Sequence, residues 1–166
     1  PAAASHGTDQ SGRRLDMSKC YVLIAGSRDF TDRQTFDRIV RESIEVRTLL
    51  YEIVIVEGGC RGVDTMARQY AIDRGLSYQE FKPDWKKYGK AAGPRRNDEM
   101  TDWLAENGRG WDHSVALFFW GGESKGTKHC IESAKKRGIP ARIWNTKTGK
   151  YMEGEENNEH NHHDPD

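Results

Sequence analysis

The sequence has no excess of charge of either sign. Lys+Arg and Asp+Glu are each 26 in 166 residues, so the formal net charge is zero. That excludes a broad electrostatic coat for nucleic acid, while a local basic site stays open. Cysteine is scarce: Cys20, Cys60 and Cys130 are widely spaced, and no CxxC pair occurs. An odd, scattered set of thiols fits a reducing cytosol and excludes both a disulfide framework and a zinc site of paired cysteines. No apolar run approaches the roughly 20 residues of a membrane span, and no signal-type apolar segment stands near the start. A cytoplasmic protein without membrane contact is expected. Internal repeats are also lacking.

Periodicity is missing at both ends. Residues 1–17 are small and polar and read as a disordered leader, with Met17 a candidate natural start after an expression remnant. Residues 148–166 read as a disordered polar tail. Its His160, His162 and His163 are expected to be solvated, so no metal site and no cofactor are assigned. The remaining 18–147 suit one domain with a sizeable core.

Within that domain one stretch organises the rest. Ile53 to Val56 is a short apolar run rich in β-branched side chains, closed by Glu57, and reads as a buried strand. Gly58, Gly59 and Gly62 follow at once, and Val63 to Ala71 has helical apolar spacing. Strand, glycine turn and helix place free backbone N–H groups at a helix start, where they can hold an anion. The same pattern also serves as a tight turn that binds nothing.

Taken in order, strands and helices alternate. Cys20 to Ala25 is a strand; Asp32 can cap a helix to about Leu50, with Phe36, Ile39, Val40 and Ile44 on one buried face. After Ile53–Glu57 a helix runs from Val63 to Arg74, closed by Gly75. Ser77 to Phe81 is a third strand, 82–93 a long loop, and Pro94 opens a helix over Arg95 to Asn107. Val115 to Trp120 is the most apolar strand; Gly121 to Thr127 turns into a helix over Lys128 to Arg137, and Ala141 to Trp144 is the last strand. Five strands and four helices predict an α/β fold, a Rossmann-like three-layer sandwich with a five-strand parallel sheet in order 3-2-1-4-5. Gly26-Ser27-Arg28, Glu57 to Gly62, the stretch around Arg95-Arg96-Asn97, and Gly121-Gly122 with Gly126-Thr127 then share the carboxyl edge, where such sheets bind ligands. Glycine turns converging at one edge point to a nucleotide or phosphate-ester site.

The candidate residues carry matching chemistry. Arg28 can take a phosphate through two parallel hydrogen bonds, or pair with Asp29 or Asp32 on the surface. Arg95 and Arg96 stand near a helix start, where cations are unfavourable and an anion compensates. Asp64 is either a cap of its helix or a ligand of ribose hydroxyls and a general acid/base. Glu57 closes a buried strand that does not need it for packing. Thr127 can donate to a phosphate or cap its helix, and Lys125 can neutralise one or stay solvated. Trp85 and Tyr88 lie in a loop of lid-like length, so Trp85 either stacks on a base or anchors the loop to the core; the large area of tryptophan favours the anchor. Trp103 belongs to the core or to a contact between two copies, which leaves a homodimer open. Cys60 and Cys130 border the site without a base partner.

Gly26-Ser27-Arg28, Gly58 to Asp64, Ala92 to Asn97 and Gly121 to Thr127, in that order, resemble the SLOG superfamily, most closely its YspA/YpsA-related branch. The likeness spans about Lys19 to Trp144 and implies a Rossmann-like nucleotide-binding domain. The superfamily includes LOG phosphoribohydrolases and the DNA-processing protein DprA. In LOG enzymes the second and fourth glycine turns hold the phosphate and ribose of a nucleoside monophosphate. An arginine of the third motif and a glutamate beyond the Gly-Thr act in N-glycosidic cleavage. The resemblance gives Arg96 that arginine's role, with Arg95 as its rival. The glutamate's place is taken by Cys130, and Glu132 falls on another helix face. The implied ligand is a nucleotide or nucleotide-derived small molecule, with Gly26, Ser27, Arg28, Gly58, Gly59, Cys60, Gly62, Arg95, Asn97, Gly121, Gly122, Gly126 and Thr127 around it. Arg96, Asp64 and Glu57 are the candidates for catalysis. A DprA-like single-stranded nucleic-acid binder is the alternative partner class.

Overall fold

A computed structural model describes residues 18–108 and 113–152, together with Gln10. The elements are β1 (Lys19–Gly26), α1 (Arg33–Leu50), β2 (Glu52–Glu57), α2 (Val63–Arg74), β3 (Ser77–Glu80), α3 (Trp85–Tyr88), α4 (Ala92–Asn107), β4 (Ser114–Phe119), α5 (Lys125–Lys136), β5 (Ala141–Asn145) and β6 (Lys150–Tyr151). A 3₁₀ turn, Gly89–Ala91, joins α3 to α4. The sheet order is β3-β2-β1-β4-β5-β6. The first five strands are parallel, and β6 is antiparallel to β5.

Alternation along β1 makes the three layers. Cys20, Val22 and Ile24 face one side of the sheet and pack with Phe36, Ile39, Val40 and Ile44 of α1 and with Ala67 and Tyr70 of α2. Leu23 and Ala25 face the other side and pack with Met100 and Leu104 of α4 and Ile131 and Ala134 of α5. The α1 stripe is fully buried, and each such side chain contributes about 1.5–3 kcal/mol by leaving water. Phe36 meets Phe119 of β4 with ring centroids 5.0 Å apart, so α1 also grips the strand that carries half of the carboxyl edge.

Helix ends follow the side-chain chemistry. Asp32 accepts from the Thr35 N–H at 3.0 Å and caps α1. Gly75 closes α2 in the left-handed conformation.

Four local expectations change. The strand β6 falls in the stretch read as a polar tail: Tyr151 packs on Trp144 at 5.0 Å between centroids, which holds two otherwise featureless residues on the edge of β5. The long loop contains α3, nucleated where the Asp84 carboxylate accepts from the Lys87 N–H at 3.0 Å. Helix α4 begins at Ala92, so Pro94 lies within its first turn, where a missing N–H costs nothing. Helix α5 begins at Lys125, capped by Ser124, so Gly126 and Thr127 belong to the helix and not to the turn before it. The expected leader, Gln10 apart, and all of the expected tail beyond Met152, lie outside the described residues. Among the described residues no helix is long and apolar enough to cross a membrane.

Candidate functional site

Strands β1, β2 and β4 run in one direction, with Gly26 in register with Phe119 and Leu23 with Val56. Their carboxyl ends, together with Arg96, Asn97 and Met100 of α4 and the first turn of α5, enclose a cleft. It is lined by Ala25, Gly26, Arg28, Gly58, Cys60, Asp64, Arg96, Asn97, Met100, Ser124, Gly126, Thr127 and Cys130. The cleft sits where the chain order reverses, between β1 and β4.

Gly58 and Gly62 are among the glycines required by contact. A Cβ on Gly58 would lie 2.5 Å from Arg96 Nη1 and 2.9 Å from Asp64 Oδ2. Gly62 has φ +75°, and a Cβ there would lie 2.5 Å from the carbonyl oxygens of Ser27 and Arg28. Through it the turn after β2 nests on the turn after β1, and the Val63 N–H donates to the Ser27 carbonyl at 3.2 Å.

The floor of the cleft is an internal charge cluster. Arg96 is 9% exposed. Its Nη1 donates to the Gly58 carbonyl, its Nε donates to Asn97 Oδ1 at 2.9 Å, and its Nη1 reaches Cys60 Sγ at 3.7 Å. Asn97 in turn donates to the Gly126 carbonyl at 3.2 Å, which ties α4 to the start of α5. Asp64, 5% exposed, accepts from the Cys60 N–H at 3.1 Å. It therefore holds the glycine turn behind it and does not cap α2. Burial pushes its carboxyl up to about 6, against the pull of the Arg96 guanidinium and those backbone donors.

Glu57 is 1% exposed and accepts from the Gly59 N–H at 2.6 Å, while its Oε1 has no hydrogen-bond partner among the described residues. Burial raises it to about 7, opposed by the Gly59 N–H and reinforced by the nearby Asp64 and Glu80. Glu57 lies behind the turn and does not line the cleft. Cys130 does line it, as a buried thiol pushed up to about 12, and so holds its proton at neutral pH.

The roof differs. Ser124 Oγ accepts from the Thr127 N–H at 3.2 Å and the Thr127 hydroxyl at 3.0 Å. The first turn of α5 contains no acidic residue. Arg28 is exposed, and its guanidinium lies 5.6 Å from the centre of the Trp85 ring.

The structure brings Gly26, Arg28, Gly58, Cys60, Asp64, Arg96, Asn97, Gly126 and Thr127 together around the cleft. It places Ser27, Gly59 and Gly62 in the supporting turns behind it. Arg95 stacks on Tyr88, 4.0 Å from the ring centre, and leaves the cleft to Arg96. Gly121 faces Thr146 and Lys147 of the β5–β6 turn, and Gly122 is exposed outside the lining. Trp85 is 48% exposed, so it is not the core anchor its size implied. Trp103 packs on Tyr21 and Phe81 at the edge of the core. Ser124 was missed; the signal for it was a serine three residues before Thr127 at a helix start.

Comparison with known proteins agrees with this architecture. The YspA, cpYpsA-related SLOG family matches residues 20–88. The gene 61 protein of Mycobacterium phage D29 is 37% identical over 126 residues, 72% of this chain and 91% of that protein. Among solved structures, DNA processing protein A (DprA) from Streptococcus pneumoniae is similar with a TM-score of 0.53 at 16% identity, over 75% of this chain and 50% of that one. That likeness is one of fold, and this chain spans half of the DprA chain. On the sequence relative, the matching motifs and the sheet order together, the chain belongs to the YspA, cpYpsA-related SLOG family.

Proposed function

We propose that the cleft binds a nucleotide or nucleotide-derived small molecule, with its phosphate at the start of α5. One observation carries this reading: the α5 end of the cleft presents a helix N-terminus without any acidic residue in its first turn, facing the exposed cation Arg28. The opposite wall already holds its own anion, Asp64, next to Arg96. Thr127 and the Gly126 backbone contact the phosphate, and Arg28 closes over it. Arg96 shapes the floor and meets the sugar side of the ligand.

Binding without efficient cleavage follows from the donor set. N-glycosidic hydrolysis needs a carboxylate beside the sugar to assist water. The place where the resemblance expects it holds Cys130, a neutral thiol, and Asp64 is engaged by the Cys60 N–H. Hydrolysis remains the second reading because the Asp64 carboxyl, at about 6, can exchange a proton near neutral pH within the cleft.

A strand of nucleic acid is less well served. Arg61 pairs with Asp29 at 3.3 Å, Arg95 lies on Tyr88 and Arg96 is buried, so the arginines do not form one track.

Calorimetry with the four nucleoside 5′-monophosphates tests the proposal. Arg28→Ala is expected to weaken binding by about 1.5–3 kcal/mol without changing the melting temperature, because Arg28 is exposed. Unchanged affinity removes Arg28 from the site. Chromatography of the same mixtures is expected to show slow or no release of free base; rapid release by the wild-type protein transfers the weight to Asp64. A single-stranded oligonucleotide that binds more tightly than any monophosphate, with a steep salt dependence, favours the nucleic-acid alternative.

A further inference from the structure

Trp85 stands next to Arg28, a residue of the cleft lining. It opens α3, four residues long, between the third strand and α4. A tryptophan of this size is ordinarily covered, yet 48% of it is exposed. Two contacts place it beside the cleft. The Arg28 guanidinium, itself part of the cleft lining, lies 5.6 Å from its ring centre. The edge of the indole lies against Gly93, where a Cβ would be 3.6 Å from Cη2. The ring thus bridges the turn after β1 and the first turn of α4, with half of its surface open.

The neighbouring aromatic is different. Tyr88 has Arg95 at 4.0 Å and Lys87 at 5.0 Å from its ring centre, so cations already cover it. One open aromatic surface, beside one arginine of the cleft, makes a single stacking place and not a track for successive bases.

We propose that Trp85 is the base-recognition residue of this site: the nucleobase stacks on its open surface while the phosphate lies at the start of α5. This rests on the nucleotide-binding reading above and adds to it the ligand class, an aromatic base joined to a sugar phosphate. Arg28 then serves both ends, lying against the indole and facing the phosphate. Stacking of this kind tolerates any base, so the site selects for the presence of a base more than for its identity.

The test compares adenosine 5′-monophosphate with ribose 5-phosphate on wild type, Trp85→Ala and Trp85→Phe, by calorimetry. The expected result is that Trp85→Ala weakens adenosine 5′-monophosphate by about 10–100-fold, that Trp85→Phe recovers most of the loss, and that ribose 5-phosphate binds all three alike. Equal losses for both ligands, or a loss for neither, overturn the stacking role while leaving the phosphate site in place. If wild type binds neither ligand, the nucleotide-binding reading itself fails, and this inference fails with it.

Discussion

The turn after β2 and the turn after β4 enter the same cleft with opposite electrostatics. The first is built around charge. Glu57 and Asp64 are both nearly inaccessible, both are raised by burial, and both accept from N–H groups of their own turn, with Arg96 beside Asp64. The second is built around hydroxyls: Ser124 caps α5 and Thr127 leans on it. A turn that supplies its own anions has its N–H groups and its arginine already engaged. A turn capped by hydroxyls, whose Glu123 is paired outward with Lys147, keeps its positive end for an anion from solution. The two halves of the cleft therefore divide the work, one holding the floor rigid and the other receiving the ligand.

The largest expected effect breaks the first half. Arg96→Ala leaves the Gly58 carbonyl and Asn97 without their shared donor and Asp64 without its neighbouring cation. It should cost about 3–5 kcal/mol of stability in urea unfolding, together with loss of monophosphate binding. A stable variant that merely binds more weakly would mean that the floor is less integral than its contacts indicate.

Next comes pH. In Glu57 the carboxyl rises from 4.5 to about 7 on folding, so between those values the folded chain holds a proton that the unfolded chain releases. Stability attributable to this group is highest below about pH 4.5, falls as pH rises through the window, and is level above about pH 7. The shift corresponds to about 3 kcal/mol. Glu57→Gln cannot titrate, so its stability relative to wild type should improve by about that amount between pH 4.5 and pH 8. A difference that stays constant with pH would contradict the burial cost assigned to Glu57.

The hydroxyl turn should respond less. Ser124→Ala removes the cap of α5 and should cost about 1 kcal/mol, with the same value at pH 5 and pH 8. A pH-dependent loss would erase the contrast between the turns.

The smallest effect has the opposite sign. A Cβ on Gly126 meets nothing within 4 Å, and the residue lies inside α5. Gly126→Ala should stabilise the fold by about 0.5–1 kcal/mol while its methyl narrows the place assigned to the phosphate and weakens monophosphate binding.

The sheet was legible because its central strands are apolar and β-branched: the runs in β1, β2 and β4 admit no other assignment at their length. The Rossmann-like order followed from the alternation with helices. The strand β6 was not legible, because two residues carry no period and are held by a tertiary contact of Tyr151 with Trp144. The resemblance favoured Arg96 over its rival Arg95, but periodicity alone did not separate the two. Adjacent helix positions point about 100° apart, so the choice depends on how α4 is rotated against the sheet. In the fourth motif the glycines drew attention to the turn, whereas Ser124 had already begun the helix. The reading of Trp85 as an anchor failed because size favours burial only where core remains to be filled, and α3 lies outside both apolar clusters.

The position of the cleft between β1 and β4 bears on the order in which the protein becomes competent. Strand β1 pairs with β2, about thirty residues on, and with β4, where Val22 meets Val115. During synthesis the first junction can close while the second partner has yet to emerge from the ribosome, and the longer closure is the slower one. Arg28, Gly58 and Asp64 come from the early half, Ser124 and Thr127 from the late half. A ligand in the cleft therefore acts as a rivet across the last seam to form. It has no purchase on the half-made chain, and once seated it must be released before that seam can part, so a saturating ligand should raise the melting temperature in proportion to the logarithm of its concentration.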